Sequence, residues 1–233
     1  MNKLLNATAL ATVLTVGAFG LATQAHATTM PITTVPSGGT IVNGNMTFTF
    51  GSNACSITGG NGALTCAGIT ASAYTSSTPP DGVAGLPGIT FQATFNSGSP
   101  GTEDVALEYA ATISSGLFDD VQLTFNGNSL PNGMVATNIN EEVFITGTDT
   151  VIGDVSVNSP GDLTTDIALT QDVASITVIK DIELLSDSST DPATISFVNQ
   201  TFSTVPEPAS LAIFGVSLIG LGVIRRRRRS KQA

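Results

Sequence analysis

Apolar and polar residues alternate at a period of two along much of the chain from residue 28 to residue 204. Two clean examples are Met46–Phe50 and residues 89–95. Further stretches of the same kind lie at 105–113, 121–125, 143–145, 151–157 and 195–197. Successive side chains of a β-strand point to opposite faces, so this pattern is typical of strands with one buried and one exposed face. The pattern predicts an all-β region.

One predicted strand carries a charge in its apolar row. Its inward positions would be Ile176, Val178, Lys180, Ile182 and Leu184, so a lysine shares a face with four aliphatic side chains. Lysine is almost never fully buried unless it is paired. Lys180 is therefore the odd member of this row.

Turn-forming clusters separate the predicted strands. Examples are Asn61-Gly62, Asn126-Gly127-Asn128 and the run from Asn158 to Asp162. Asn-Gly steps supply the positive φ angles that tight turns require. Eight to ten short strands divided in this way predict an antiparallel β-sandwich, jelly-roll-like, over residues 28–204. A solenoid is the alternative, but the chain shows no fixed repeat period.

Charge is distributed unevenly along the chain. The formal net charge is −10, yet residues 28–204 contain 17 acidic residues against one cation, Lys180, which leaves −16 in this region. Nucleic-acid binding relies on Lys and Arg that neutralise phosphates, so we expect no nucleic-acid partner. Divalent cations and cationic polymers are the partners that such a surface would tolerate best, although a merely solvated surface is the simpler interpretation.

Catalytic residue types are scarce. The only histidine, His26, lies before residue 28, and residues 28–204 contain no Arg and no Trp. General bases, zinc sites and activated nucleophiles usually depend on His. We therefore expect a protein that is not an enzyme, with no catalytic residues, no metal ligands and no cofactor. A dyad built on Lys180 would need Thr177, which a strand places on the opposite face.

Three acidic pairs keep two alternatives open. They are Glu103-Asp104, Asp119-Asp120 and Glu141-Glu142. In a loop such a pair could bind calcium through its carboxylate oxygens, although no twelve-residue calcium loop is present. Two carboxylates at about 5–9 Å would also suffice for a glycosidase. Sugar sites commonly add aromatic residues, and here the Phe residues fall on alternating core positions. A solvated acidic surface is the favoured interpretation.

The N-terminal segment, residues 1–27, has the features of a signal peptide. Lys3 provides a short positive region, and a mostly apolar stretch follows it. The segment ends in Ala25-His26-Ala27, a small-residue cleavage pattern, so we predict cleavage before Thr28. An uncleaved anchor is the alternative, disfavoured by the cleavage pattern.

Export bears on the two cysteines. Cys55 and Cys66 both lie in the predicted β region. In an oxidising compartment we expect them to form a disulfide. Free thiols or a metal pair are the alternatives, and the metal pair lacks further His or Cys ligands.

The C-terminal segment combines three elements. Pro206-Glu207-Pro208 cannot lie inside a helix, because proline lacks the N–H donor and restricts the preceding residue. Residues 209–224 are uncharged and would form a helix of about 24 Å, slightly shorter than a hydrocarbon core of about 30 Å. Five arginines follow and would remain cytoplasmic: Arg225, Arg226, Arg227, Arg228 and Arg229. A short tail, 230–233, completes the sequence. This order predicts a single short transmembrane helix with the folded region outside.

These elements carry a resemblance to a known family. The run Val205-Pro206-Glu207-Pro208-Ala209-Ser210, the apolar helix and the arginine cluster together resemble the PEP-CTERM sorting signal of Gram-negative bacteria, over residues 205–229. The resemblance implies an exosortase as processing partner. It also implies cleavage near Pro-Glu-Pro and delivery from the inner membrane to the cell surface or the extracellular matrix.

Three hypotheses for the function follow. The favoured one is a structural or adhesive protein of the exopolysaccharide or biofilm matrix, with extracellular polysaccharide as partner. The second is a carbohydrate-binding or carbohydrate-cleaving module that uses carboxylates and calcium. The third is a membrane protein that keeps its C-terminal helix. The sequence specifies neither the glycan nor the oligomeric state.

Overall fold

The computed structural model describes residues 30–31, 39–60, 64–76, 85–98, 100–127, 135–161, 163–187 and 190–205. The predicted signal peptide, the transmembrane helix over 209–224 and the arginine cluster lie outside these residues. Within them, no helix is both long and apolar enough to span a bilayer.

Two antiparallel sheets form the described fold. Sheet A has six strands, in the spatial order β1 (Met30–Pro31), β5 (Thr70–Thr75), β6 (Pro87–Asn96), β13 (Thr194–Val205), β8 (Leu117–Phe125) and β11 (Thr164–Val173). Sheet B has seven, in the order β10 (Val151–Ser159), β9 (Val135–Ile145), β12 (Ser175–Ser186), β7 (Gly101–Ile113), β3 (Met46–Phe50) and β2 (Gly39–Asn43), with β4 (Cys55–Gly59) also paired to β7. A short 3₁₀ helix covers Cys66–Gly68. The predicted all-β antiparallel sandwich is confirmed, while its jelly-roll character stays a prediction.

The alternating pattern located most of the strands. β3 has the bounds of the predicted Met46–Phe50 segment, and β6, β7 and β12 contain their predicted segments. The predicted number of eight to ten was too low, because the described residues contain thirteen strands. The strands without a sequence prediction, β1, β2, β4, β5 and β11, are short or bury few side chains. The turn predicted from Asn158 was also placed too early, since Asn158 and Ser159 end β10.

Aromatic side chains fill the space between the sheets. Phe48 and Phe50 of β3 meet Phe91 of β6, Tyr109 of β7 and Phe202 of β13, with ring centroids 5.6–6.2 Å apart. All five are buried. Burial of each such side chain contributes about 1.5–3 kcal/mol, so this cluster joins sheet A to sheet B.

The predicted disulfide is confirmed. Cys55 at the start of β4 is bonded to Cys66 in the 3₁₀ helix, with 5.9 Å between their Cα atoms. The bond closes the connection that leaves sheet B at β4 and enters sheet A at β5. It therefore fastens a crossing between the two layers.

The last strand lies inside sheet A rather than at its edge. β13 pairs with β6 on one side and with β8 on the other. Its final residues, Thr204 and Val205, pair with Phe118 and Leu117 of β8. Val205, assigned from the sequence to the sorting segment, is therefore a strand residue of the sandwich and the last residue that the structure describes.

Candidate functional site

A chain of polar side chains crosses the interior between the sheets. Lys180 of β12 lies directly opposite Glu141 of β9, and its ammonium group donates to Glu141 Oε2. Gln200 of β13 donates from Nε2 to Glu141 Oε1, and the Tyr109 hydroxyl donates to Gln200 Oε1. All four side chains are buried. The network links three strands of sheet B to a central strand of sheet A.

This network uses the single cation of residues 28–204. Lys180 and Glu141 both have side chains with 0% exposure. Burial lowers the pKa of Lys180, and the negative charge and hydrogen bond of Glu141 oppose that shift. Because Lys180 is enclosed and paired, its ammonium group is not presented to an external substrate. Thr177 faces outward and donates to Thr146 Oγ1 at 3.4 Å, as the strand alternation predicted.

The interpretation of the acidic pairs as solvated needs correction at two positions. Glu103 and Glu141 are 2% and 1% exposed, whereas their sequence neighbours Asp104 and Glu142 point outward. The strand alternation places one member of each of these two pairs inside the sandwich. Glu103 accepts a hydrogen bond from the Asn96 backbone N–H at 3.0 Å, and burial raises its pKa above the ordinary value. Glu103 and Glu141 therefore make hydrogen bonds within the fold instead of forming part of the solvated surface.

Three carboxylates meet on the outer face of sheet B. Glu183 of β12 lies opposite Asp104 of β7, and Asp181 is two residues before Glu183 on the same face. Partial burial, a hydrogen bond to Asp104 and the charges of Asp104 and Glu183 raise the pKa of Asp181 to about 6. Thr58 donates to Asp104 Oδ2 at 3.4 Å, and Asn138 donates to Glu183 Oε2 at 3.3 Å. We name these three carboxylates the acidic patch.

The acidic patch does not form a recognisable metal site. Among the residues that the structure describes, no group of three or more His, Cys, Asp or Glu is arranged to hold a metal ion. Calcium binding, expected from the sequence as an alternative, stays a prediction. The acidic patch provides hydrogen-bond acceptors on an otherwise flat strand surface.

The outer face of sheet A has a different character. One row across five strands consists of directly paired Ser72, Thr90, Asn199, Thr124 and Thr164. The next row begins at Tyr74 and includes Thr201 and Gln122. Directly paired residues in antiparallel strands share a face, so amide and hydroxyl groups cover the centre of this sheet.

A groove of about 200 Å³ opens on this face. Its walls include Tyr74, Gln122, Thr124, Phe197, Asn199 and Thr201. None of the described side chains that line it is charged. Gln122 and Thr201 are 4% and 2% exposed, and the Thr201 hydroxyl donates to Gln122 Oε1 at 3.2 Å. We name this feature the amide–hydroxyl groove.

One hydroxyl beside the groove has no hydrogen-bond partner. Thr90 is 5% exposed, and its Oγ1 is one of two buried side-chain atoms without a partner among the described residues, the other being Thr137 Oγ1. Thr90 lies directly opposite Asn199, which lines the groove. A buried hydroxyl without a partner costs about 1–3 kcal/mol, so its presence on this face requires a reason.

A second cavity lies on the outer face of sheet B. It measures about 370 Å³ and is lined in part by Glu108, Phe144, Asp149 and Ile179. Phe144 is half-buried there, and Phe197 is half-buried in the amide–hydroxyl groove. The expectation that Phe residues occupy core positions was therefore wrong for these two side chains.

Sequence reasoning missed the groove and the partner of Lys180. Both depend on which strands become neighbours, since Thr90, Asn199 and Thr124 are far apart in the chain. The apolar row around Lys180 marked this lysine as an odd member but did not indicate its partner. The polar members of β5 and β13 gave no comparable signal, because alternating Thr and Ser also occur on ordinary exposed faces.

The sorting residues occupy a defined position relative to the fold. Val205 ends β13, while the residues from Pro206 to Ser210, the predicted cleavage residues Ala25, Ala27 and Thr28, and the arginine cluster lie outside the described residues. The described part of the chain is thus a two-sheet sandwich whose central strand β13 continues in sequence into a Pro-Glu-Pro segment. This arrangement places the described sandwich directly before the Pro-Glu-Pro segment in the sequence.

Residues 204–229 match the PEP-CTERM protein-sorting motif. The chain carries this motif, as the sequence predicted, and the motif indicates an exported protein that an exosortase handles. The match covers the C-terminal segment and does not extend into the sandwich. No curated protein is similar enough to the chain to count as a match.

Several solved structures share a weak likeness with the chain. One is TmCBM61 in complex with β-1,4-galactotriose, at 13% identity over 65% of this chain and 90% of that chain, with a TM-score of 0.32. A carbohydrate-binding module of the β-sandwich superfamily has 13% identity over 68% and 56%, with a TM-score of 0.30. The family 11 carbohydrate-binding module from Clostridium thermocellum has 12% identity over 67% and 93%, with a TM-score of 0.22. At these scores the likeness supports no argument about function.

Proposed function

We propose that the chain is a non-enzymatic surface or matrix protein, which an exosortase sorts and whose sandwich adheres to extracellular polysaccharide. The observation that carries this proposal is the junction at Val205, where the last strand ends within the PEP-CTERM motif at residues 204–229. The described part of the fold therefore includes the first two residues of the matched motif. Cleavage after this point would release an intact sandwich.

The junction is placed so that processing need not disturb the fold. β13 is held by β6 as far as Thr201 and by β8 as far as Val205. Pro206 and Pro208 each lack an N–H and cannot extend the hydrogen-bond ladder. The predicted helix at 209–224 would hold the intermediate at the inner membrane until the exosortase removes it.

A processing experiment tests the sorting part of the proposal. The full chain is produced in a host with its exosortase and in a matched host without it, and the external form is measured by intact mass. We expect loss of the segment that contains Arg225–Arg229 only where the exosortase is present. Glu207→Ala should reduce processing, whereas Glu183→Ala on the sandwich surface should not. An external form that keeps all five arginines in both hosts would contradict the proposal.

A retention experiment tests the adhesive part. Purified matrix polysaccharide is immobilised, and the external form of the protein is passed over it with calcium and then with a chelator. We expect retention in both conditions, because the fold carries no recognised metal cluster among its described residues. Absence of retention in both would remove the adhesive role.

The second candidate is a carbohydrate-binding or carbohydrate-cleaving module that uses carboxylates. The acidic patch favours it, since it brings three carboxylates together and the pKa of Asp181 is raised to about 6. A glycosidase needs a carboxyl group that stays protonated to act as its general acid. A glycan array combined with a reducing-sugar assay separates the candidates. Sugar release that Asp181→Asn abolishes would favour the second one.

A further inference from the structure

We propose that the amide–hydroxyl groove on sheet A binds an extended stretch of an uncharged polysaccharide. This inference deepens the proposed function, since it rests on the adhesive role and names both the site and the class of glycan. The reasons are the chemistry of the lining, the spacing of its two aromatic rings and the hydroxyl of Thr90.

The lining matches the chemistry of a neutral sugar. Amide and hydroxyl groups such as Asn199, Gln122 and Thr201 both donate and accept hydrogen bonds, as sugar hydroxyls do. The C–H face of a sugar ring packs on an aromatic ring, and Tyr74 and Phe197 provide such rings. Among the residues that the structure describes, the lining offers no charged side chain to pair with a uronate or a sulfate.

The net negative charge of the sandwich also favours an uncharged ligand. Residues 28–204 carry a net charge of −16, and their single cation, Lys180, is buried and paired. An anionic polysaccharide approaching any face of the sandwich meets repulsion that no local cation relieves. A neutral chain avoids this cost.

The Cα atoms of the two aromatic residues are separated by more than the length of one sugar unit. Tyr74 of β5 is level with Thr201 of β13, and Phe197 lies four residues from Thr201 along the same strand. β5 and β13 are separated by β6, so two strand spacings and four residues of rise put the Cα atoms about 16 Å apart. Aromatic residues whose Cα atoms are spaced in this way suit a chain of several sugar units better than a single sugar.

The Thr90 hydroxyl gives an independent reason. It is buried without a partner directly opposite Asn199, on the face where the ligand would lie. Thr90 Oγ1 is covered in the free protein, so a sugar hydroxyl would provide the missing hydrogen bond once the ligand displaces the neighbouring Asn199 side chain. Threonine at this position therefore costs stability in the free protein and contributes to binding.

The test uses the external form of the protein, recovered from the exterior of the producing cells. The probes are neutral hexaoses of β-linked glucose, galactose and mannose, and a hexagalacturonate as the anionic counterpart, with affinity measured by calorimetry. We expect at least one neutral hexaose to bind and the hexagalacturonate not to bind. We expect Tyr74→Ala and Phe197→Ala to weaken binding about tenfold each. The matched control is Phe144→Ala, a half-buried ring on the outer face of sheet B, which should change nothing.

A second pair of variants separates a binding role from a structural one. Thr90→Val should raise the melting temperature and weaken the binding of the neutral hexaose about fivefold. Thr137→Val removes the other partnerless hydroxyl, so it should raise the melting temperature without changing the affinity.

Three results would overturn the inference: no neutral hexaose binds, the hexagalacturonate binds more tightly, or Phe144→Ala rather than the groove variants abolishes binding. If the exterior protein remains on the matrix but no hexaose binds, the groove assignment fails while the proposed function stands. If hexaoses bind but the protein keeps its arginine tail, the sorting proposal fails while the groove assignment stands.

Discussion

Removing one member of the buried ion pair should destabilise the sandwich strongly. Glu141→Gln keeps the size of the side chain and can still accept the hydrogen bond from Gln200. It leaves Lys180 without a counter-charge at a site with 0% exposure. Breaking a buried pair in this way costs about 3–5 kcal/mol. For a domain of this size, 1 kcal/mol corresponds to about 2–4 °C, so we expect the melting temperature to fall by about 6–20 °C.

The pH dependence of this variant has a definite sign. Burial already lowers the pKa of Lys180, and Glu141 is the group that opposes the lowering. Without Glu141 the pKa of Lys180 falls further below its unfolded value of about 10.4. The unfolded chain then binds more protons than the folded chain between the two pKa values, so stability rises with pH in that window. The deficit of Glu141→Gln should therefore be large near pH 7 and shrink toward pH 10.

Thermal unfolding followed by circular dichroism, from pH 6 to pH 10, provides the measurement. The double variant Lys180→Met with Glu141→Gln is the control, because it contains no buried charge. We expect it to recover most of the lost stability, which makes the two substitutions strongly non-additive. A loss below about 1 kcal/mol in Glu141→Gln, or additive losses in the double variant, would falsify the assignment of a buried ion pair.

Three further predictions concern the sandwich itself. Reduction of the Cys55–Cys66 disulfide should lower the unfolding free energy by about 2–3 kcal/mol, because the unfolded chain is then no longer held in a closed loop. Urea unfolding measures this change, and identical midpoints in the presence and absence of reductant would contradict it. Gly88→Ala should destabilise by at least about 2 kcal/mol, since a Cβ there overlaps a backbone carbonyl of the adjacent strand, whereas Gly51→Ala has open space and should leave the melting temperature nearly unchanged. The pKa of Asp181 is raised to about 6, so this group stabilises the fold below about pH 4 and loses that contribution as the pH rises through 6. Between pH 4 and pH 7 the melting temperature of Asp181→Asn should therefore fall less than that of the unaltered protein. Parallel curves of melting temperature against pH for the two proteins would refute the raised pKa.

The sequence by itself determined the class of fold and the presence of the sorting motif. The period-two pattern identified β3, β6, β7 and β12 because burial on one face of a strand forces apolar residues to alternate. The sorting motif was equally accessible, since its proline, apolar and arginine segments act locally and in order along the chain. The disulfide followed from export and the presence of only two cysteines in the β region.

Only the tertiary structure decided which distant residues meet. Glu141 lies 39 residues before Lys180, and the two side chains meet only because the pairing of β9 with β12 sets the register. Asn199 likewise meets Thr90 only because β13 pairs with β6. Strand order and register are global properties of the packed sheets, so the interior charge pair and the amide–hydroxyl groove had no counterpart in the local pattern.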